Sequence, residues 1–280
     1  MAGMSVAVRW GALILLGLLA ACGSKKAEEQ ARLEASTPEQ IYRMGEYQLE
    51  TAADNKEAAR YFSEVERLYP YTEWAKRATV MEAFAYHRAR DYEAARGAAQ
   101  RYLDFYPGDE DAPYAQYLLA LSYYDQIEEV GRDQGLTFQA LQALRAVIER
   151  YPDSEYARSA MLKFDLAFDH LAAKEMEIGR FYLRRGHYTA AINRFRSVVQ
   201  DYQTTSHTPE ALHRLVEAYL ALGLDDEAVT AAAILAYNFQ SSPFYQESYN
   251  LLKAKGLKPE AKGDSWLATI YRQTIKGEWL

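Results

Sequence analysis

Apolar residues recur along this chain at steps of three and four, with charged residues between them. Tyr61, Phe62, Val65, Leu68 and Tyr69 form one such run, and the spacing predicts an amphipathic helix. From Thr37 to Leu280 no stretch shows the period of two that a half-buried strand needs. Helix-start signals precede the apolar runs. Thr37-Pro38-Glu39-Gln40 offers a capping hydroxyl, a proline at the first helical position and a glutamine at the third. Thr208-Pro209-Glu210 repeats the cap-then-proline opening, and Asp153-Ser154-Glu155 opens another helix after Pro152.

The helices read as copies of one unit. Leu68-Tyr69-Pro70, Phe105-Tyr106-Pro107 and Arg150-Tyr151-Pro152 end three of them, and Asp201-Tyr202-Gln203 ends a fourth that keeps the tyrosine without the proline. A second register agrees. Tyr86, Tyr182 and Tyr219 each precede an alanine (Ala95, Ala191, Ala228) by the same distance, with a polar or glycine turn between. The small alanine lets two helices of a pair approach. The proline cannot continue a helix and disfavours it in the residue before. Such a pair cannot bury its apolar face alone, but stacked pairs can. The pattern resembles the tetratricopeptide repeat, with a unit of about 34 residues. The fold class expected is all-α: a right-handed helical-repeat superhelix of about five helix pairs plus C-terminal helices. The units fall near 38–70, 73–107, 111–152, 154–203 and 208–240, with one further helix to residue 256 and an extension over 257–280. In the third unit the excess, Ile127 to Gly135, reads as a loop. In the fourth it is helical, giving a first helix of roughly 30 residues, about 45 Å long.

The amino terminus breaks this pattern. Arg9 precedes an uncharged run from Trp10 to Ala21. At roughly 12 residues it is short of the ~20 needed to span a bilayer, and it reads as a secretory signal over residues 1–21. Leu19-Ala20-Ala21-Cys22 resembles the bacterial lipobox, which makes Cys22 the lipidated first residue of the mature chain. Cys22 is the only cysteine, so no intramolecular disulfide framework is open. Gly23 rather than aspartate favours the outer membrane by resemblance to enteric sorting rules. Residues 22–37, rich in Lys, Glu, Gln and Ala, read as the lipidated cysteine and a flexible tether.

Composition narrows the function classes. The net charge is −7, and removing Arg9 makes it more negative, which argues against nucleic acid as a partner. No nucleophile elbow, phosphate-binding glycine loop or His-Glu-x-x-His pattern occurs, so no catalytic residue, cofactor or metal is assigned. The five histidines, His87, His170, His187, His207 and His213, read as packing or capping residues. Asp125, Glu128, Glu129 and Asp133 lack calcium-loop spacing and read as a solvated loop. The tyrosines, 23 in all, read mostly as core, with some left to line a peptide-binding groove.

Several segments in order carry a sharper resemblance. They are Ile41-Tyr42, Arg67-Leu68-Tyr69-Pro70-Tyr71, Tyr123-Tyr124-Asp125-Gln126-Ile127 with Gly131-Arg132-Asp133-Gln134, Arg150 to Ala157, and Glu177 to Gly186. Together with the lipobox, the unit count and the long fourth-unit helix, they are similar to the BamD family, the helical-repeat lipoproteins of the outer-membrane β-barrel assembly machine. The resemblance implies a lipid-anchored protein on the periplasmic face of the outer membrane, in contact with other assembly subunits. It implies that C-terminal repeats dock on a POTRA domain of BamA, and that N-terminal repeats receive the targeting strands of unfolded outer-membrane proteins. Tyr69 matches a substrate-contacting tyrosine, and Tyr42 and Tyr71 in the same segments join it as substrate-binding candidates. Arg194, in Ala190-Ala191-Ile192-Asn193-Arg194-Phe195, matches an arginine that pairs with an acidic residue of BamA. Leu68 departs from the family where a basic residue can stand. The alternative is a periplasmic repeat adaptor coupling cell division or envelope constriction to outer-membrane assembly.

Overall fold

The computed structural model describes residues 27–262 and 266–276, with side chains described through residue 273. The expectations for Cys22 and the signal segment lie outside the described residues. Within them the chain is helical, with no strand, and no helix is long and apolar enough to cross a membrane. It divides into two compact units at Ser122 and Tyr123.

The first unit begins with α1, residues 27–34. This corrects the expected tether, which does not extend to residue 37. Leu33 is fully buried with Ile41, Phe62 and Val65, and Glu29 pairs with Arg60. One leucine and one ion pair dock a segment whose composition reads as linker. Then come α2 (Pro38–Tyr47), a π-helical turn (Gln48–Ala52), α3 (Asn55–Leu68), α4 (Glu73–Arg88), α5 (Tyr92–Phe105) and α6 (Ala112–Tyr124). At α2 the Gln40 amide N–H donates to Thr37 Oγ1 at 3.3 Å, and the Thr37 N–H donates to Gln40 Oε1 at 2.9 Å, so two orphan donors of the helix start are satisfied reciprocally.

The second unit holds α7 (Gly135–Arg150), α8 (Glu155–Arg184), α9 (Tyr188–Asp201), α10 (Thr208–Leu222), α11 (Asp225–Asn238), α12 (Pro243–Ala254) and α13 (Trp266–Lys276). α8 is the long helix, 30 residues without a break. Thr208 does not cap α10 as expected. It is the first helical residue, and its hydroxyl faces backward onto the carbonyls of Tyr202 (3.1 Å) and Gln203 (3.0 Å).

Two backbone corners repeat. Within a helix pair, a left-handed residue precedes the cap of the second helix: Ala53 (φ 55), Arg90 (φ 59), Gly186 (φ 75) and Gly223 (φ 73). Glycine takes that conformation freely, whereas a Cβ costs about 1–2 kcal/mol there. Asp54 and Asp91 follow the two strained residues, and each side chain accepts from the third residue of its helix, which offsets part of that cost. The second corner ends each pair. Tyr69, Tyr106, Tyr151, Tyr202 and Phe239 share φ near −130° (range −126 to −136) and ψ between 38 and 54. Phe239 is the fifth copy, with neither tyrosine nor proline to mark it. Hydroxyls of Thr72, Ser154 and Thr205 donate to the carbonyls of Tyr69, Tyr151 and Tyr202 at 2.8–2.9 Å, closing the corner where the helix leaves carbonyls without partners.

Packing within pairs follows size. A Cβ on Gly45 would lie 2.7 Å from Phe62, and one on Gly179 would lie within 2.8 Å of two Phe195 ring carbons and closer to a third. Both phenylalanines are fully buried. A missing side chain on the first helix therefore makes room for an aromatic ring on the second.

Candidate functional site

Each unit carries a cleft near residues singled out by sequence. In the first, α1, α2 and the π-turn wall an open groove of about 680 Å³ lined by Arg32, Ser36, Arg43, Met44, Tyr47 and Tyr61. Tyr47 is 58% exposed. Arg43 is held by Glu46 (2.8 Å), whereas the only side-chain contact of the Arg32 guanidinium among the described residues is the Met44 sulfur at 3.9 Å. Tyr69 stands behind this wall. Its hydroxyl donates to the Ser36 carbonyl at 2.5 Å, fixing the turn between α1 and α2.

The three candidate tyrosines therefore hold different places. Tyr69 supports the groove wall. Tyr42 is buried, its ring 5.2 Å from both Phe62 and Trp74, and burial raises its hydroxyl pKa. It packs in the core of this unit. Tyr71 is 92% exposed, in a left-handed conformation (φ 67) that is uncommon for a bulky residue and marks a constrained position. With Phe105 and Glu66 it borders a separate small cavity of about 120 Å³. Beneath α4, the Arg101 guanidinium bridges Glu66 (3.1 Å) and Glu82 (2.7 Å). Burial pushes the Glu82 carboxyl up to about 7 in spite of that arginine.

In the second unit, Arg194 on α9 lies in a shallow cleft of about 270 Å³ with Tyr182, Asn193 and Ser197. Its Nη1 donates to Glu175 on α8 at 3.1 and 3.4 Å. Nε and Nη2 make no hydrogen bond among the described residues. One edge of the guanidinium is thus anchored, and a two-donor edge is left of the kind that matches a carboxylate. The pair is half-exposed, so it contributes no more than about 0–1 kcal/mol and serves chiefly to orient the arginine.

A serine–histidine contact also occurs: His213 Nδ1 lies 2.9 Å from Ser248 Oγ. Ser248 is fully buried and His213 nearly so, with Phe244 stacked at 5.7 Å. The contact packs α12 on α10 and presents no nucleophile to a substrate. Sequence reasoning missed Arg32 and Tyr47, because α1 reads as a linker and the groove depends on its docking. It missed Glu175 because that residue meets Arg194 only across the helix pair.

Comparison with known proteins agrees over most of the chain. A family model described as an outer membrane lipoprotein, YfiO, matches residues 34–234. The protein named outer membrane protein assembly factor BamD from Caulobacter vibrioides is 46% identical over 253 residues, covering 90% of this chain and 83% of that protein. The one from Rickettsia prowazekii is 41% identical over 243 residues, covering 86% and 95%. A more distant relative of the same name, from Neisseria meningitidis, is 27% identical over 249 residues.

Proposed function

This chain belongs to the BamD family of outer-membrane protein assembly factors, and on that premise we propose that it works as a lipid-anchored docking scaffold with two separate contact sites. Its family makes it a helical-repeat scaffold of the barrel-assembly machinery, associated with the outer membrane, and not an enzyme. The finer reading is ours. Cys22 carries the acyl chains that hold the chain on the periplasmic face. The second unit docks a BamA POTRA domain through Arg194. The first unit receives extended strands of unfolded outer-membrane proteins along the groove that Tyr69 supports, with Tyr71 as an outlying contact and Tyr42 as a shaping residue.

The observation that carries this reading is the state of Arg194. Glu175 holds Nη1 of its guanidinium, Nε and Nη2 make no hydrogen bond among the described residues, and the arginine lines a cleft with an amide, a hydroxyl and a tyrosine. That arrangement suits a partner carboxylate, and a charge-assisted fork is stronger and more directional than a single contact. Lipidation would add to it, since confinement beside a membrane-embedded partner raises effective concentration without a new contact. The test is pull-down of a BamA POTRA fragment by the soluble chain without its lipidated cysteine, residues 23–280. The wild type is expected to retain the fragment and Arg194→Glu to lose it. A well-folded wild-type sample that retains none overturns the docking assignment.

A further inference from the structure

We propose that the cavity bordered by Glu66, Tyr71 and Phe105 seats the ammonium end of a lysine side chain carried by an extended client segment. The proposal rests on the strand-receiving reading of the first unit only for the source of that lysine. The volume sets the scale of the occupant. About 120 Å³ is roughly four waters' worth of space, enough for one side-chain end and too little for a helix. Ala75 and Thr79 on α4 form its buried bottom, and the Thr79 hydroxyl is bonded to the Ala75 carbonyl at 2.9 Å. The rim is aromatic. Tyr71 and Phe105 are both well exposed, and Tyr106 lines the cavity with them. Tyr71 stands there in a left-handed conformation, which persists only where the surroundings over-determine it.

Glu66 decides the charge of the occupant, since it brings a carboxylate to an otherwise aromatic and apolar lining. Its cation is Nη2 of Arg101 at 3.1 Å, and the same nitrogen stands 2.7 Å from Glu82. One guanidinium nitrogen thus serves two carboxylates. An apolar side chain in the cavity would strip water from Glu66 and return no contact, and an acidic one would meet like charge. A lysine satisfies both parts of the lining: its stem lies against the rings while the ammonium reaches the carboxylate. The broad arginine fork is a poorer match to so small a space. The shared guanidinium also couples the seat to pH. Glu82 is buried, and its carboxyl is pushed up to about 7. The groups that face it are Glu66 on α3, Arg101 on α5 and the Tyr86 hydroxyl on its own helix. A lysine at Glu66 brings a second cation to these carboxylates and favours the ionised Glu82. Seating it therefore releases a proton, and affinity rises between about pH 6 and 8.

The experiment titrates the soluble chain, residues 23–280, with the peptide acetyl-Thr-Val-Lys-Val-Thr-amide and with the same peptide carrying norleucine in place of lysine. Binding is followed by amide chemical shifts. The lysine peptide is expected to bind roughly ten-fold tighter than the norleucine one, to shift the amides of Tyr71, Thr79 and Phe105, and to bind several-fold more tightly near pH 8 than near pH 6. Glu66→Gln should abolish the preference for lysine. Phe105→Ala, at an exposed position that the fold does not need, should weaken the lysine peptide. Glu82→Gln should flatten the pH profile and keep the preference. Equal affinity of the two peptides, shifts confined to another surface, no binding at millimolar peptide, or a flat pH profile in the wild type overturns the proposal. Crosslinking of unfolded outer-membrane protein strands at Tyr47 tests the groove separately. Strands that crosslink there while both peptides bind alike leave the strand-receiving reading standing and sink this one. A lysine preference lost in Glu66→Gln upholds the seat even where strands fail to crosslink.

Discussion

Replacing Gly179 by alanine tests whether the fit of α8 against α9 is as tight as it looks. Gly179 lies inside α8, and the added methyl would meet the fully buried Phe195 ring at 2.8 Å twice and closer once. Ordinary contact begins near 3.4 Å, so ring or helix must move by more than half an ångström. Overpacking of that kind costs about 1–3 kcal/mol. Alanine is also the better helix former by about 1 kcal/mol, which offsets part of the loss. The expected outcome is a net destabilisation of about 1 kcal/mol, read as a lowered urea midpoint with unchanged slope. Phe195→Leu opens space at the same point, so in that background Gly179→Ala should turn neutral or stabilising. The cycle should yield a coupling of about 1–2 kcal/mol. The displacement would also separate Glu175 from Arg194, so POTRA pull-down should weaken in the single variant and recover in the double. A Gly179→Ala chain more stable than wild type would refute the argument, because helix propensity would then outweigh a contact that the ring simply avoids.

Other consequences are open to measurement. Glu82 binds a proton more readily folded than unfolded, so its contribution is complete below its ordinary pKa near 4.5 and is lost as pH rises through about 7. Glu82→Gln should therefore gain on wild type by roughly 1–2 kcal/mol at pH 8, with the difference in Tm closing by pH 5; a constant difference would show that Glu82 stays charged throughout. Tyr69→Phe removes the bond to the Ser36 carbonyl and should cost about 1 kcal/mol, seen as faster amide exchange over residues 27–36 and weaker crosslinking of substrate strands. Leu33→Ala should undock α1 at a cost of about 2–3 kcal/mol, with loss of the groove and protease cutting before residue 38. Cys22→Ala should fold unchanged and leave the membrane fraction; normal retention at the outer membrane would show that protein contacts alone suffice.

Much of the fold was legible because it rests on local chemistry. The threonine, proline and glutamine that open α2 sit within four residues of each other, and a thirty-residue run without proline reads directly as α8. What escaped depends on distance or on backbone conformation. Leu33 looks like a stray apolar residue until Phe62 and Ile41 are seen around it. Arg90 and Ala53 give no hint of a left-handed turn, since they lack the glycine that marks Gly186 and Gly223. Phe239 hides because its corner is held by burial and dihedral preference. The candidate site was legible in part. Arg194 could be named from its motif, but its orientation needs Glu175, nineteen residues away. Tyr42 and Tyr69 look alike in sequence, and only packing tells that one ring lies in the core while the other braces a wall.

The five aromatic corners bear on how such chains diversify. The same backbone bend is made with Tyr-Pro, with Tyr-Gln and with Phe-Gln, so the proline is an accessory to a shape that the ring and the turn already enforce. A junction of this sort is a natural recombination point. A helix pair inherited from a relative can be spliced in after the corner without altering the direction in which the chain leaves it, provided the Gly–Phe size match stays within the pair. Lineages can then trade contact surfaces one pair at a time while the trace of the backbone is preserved.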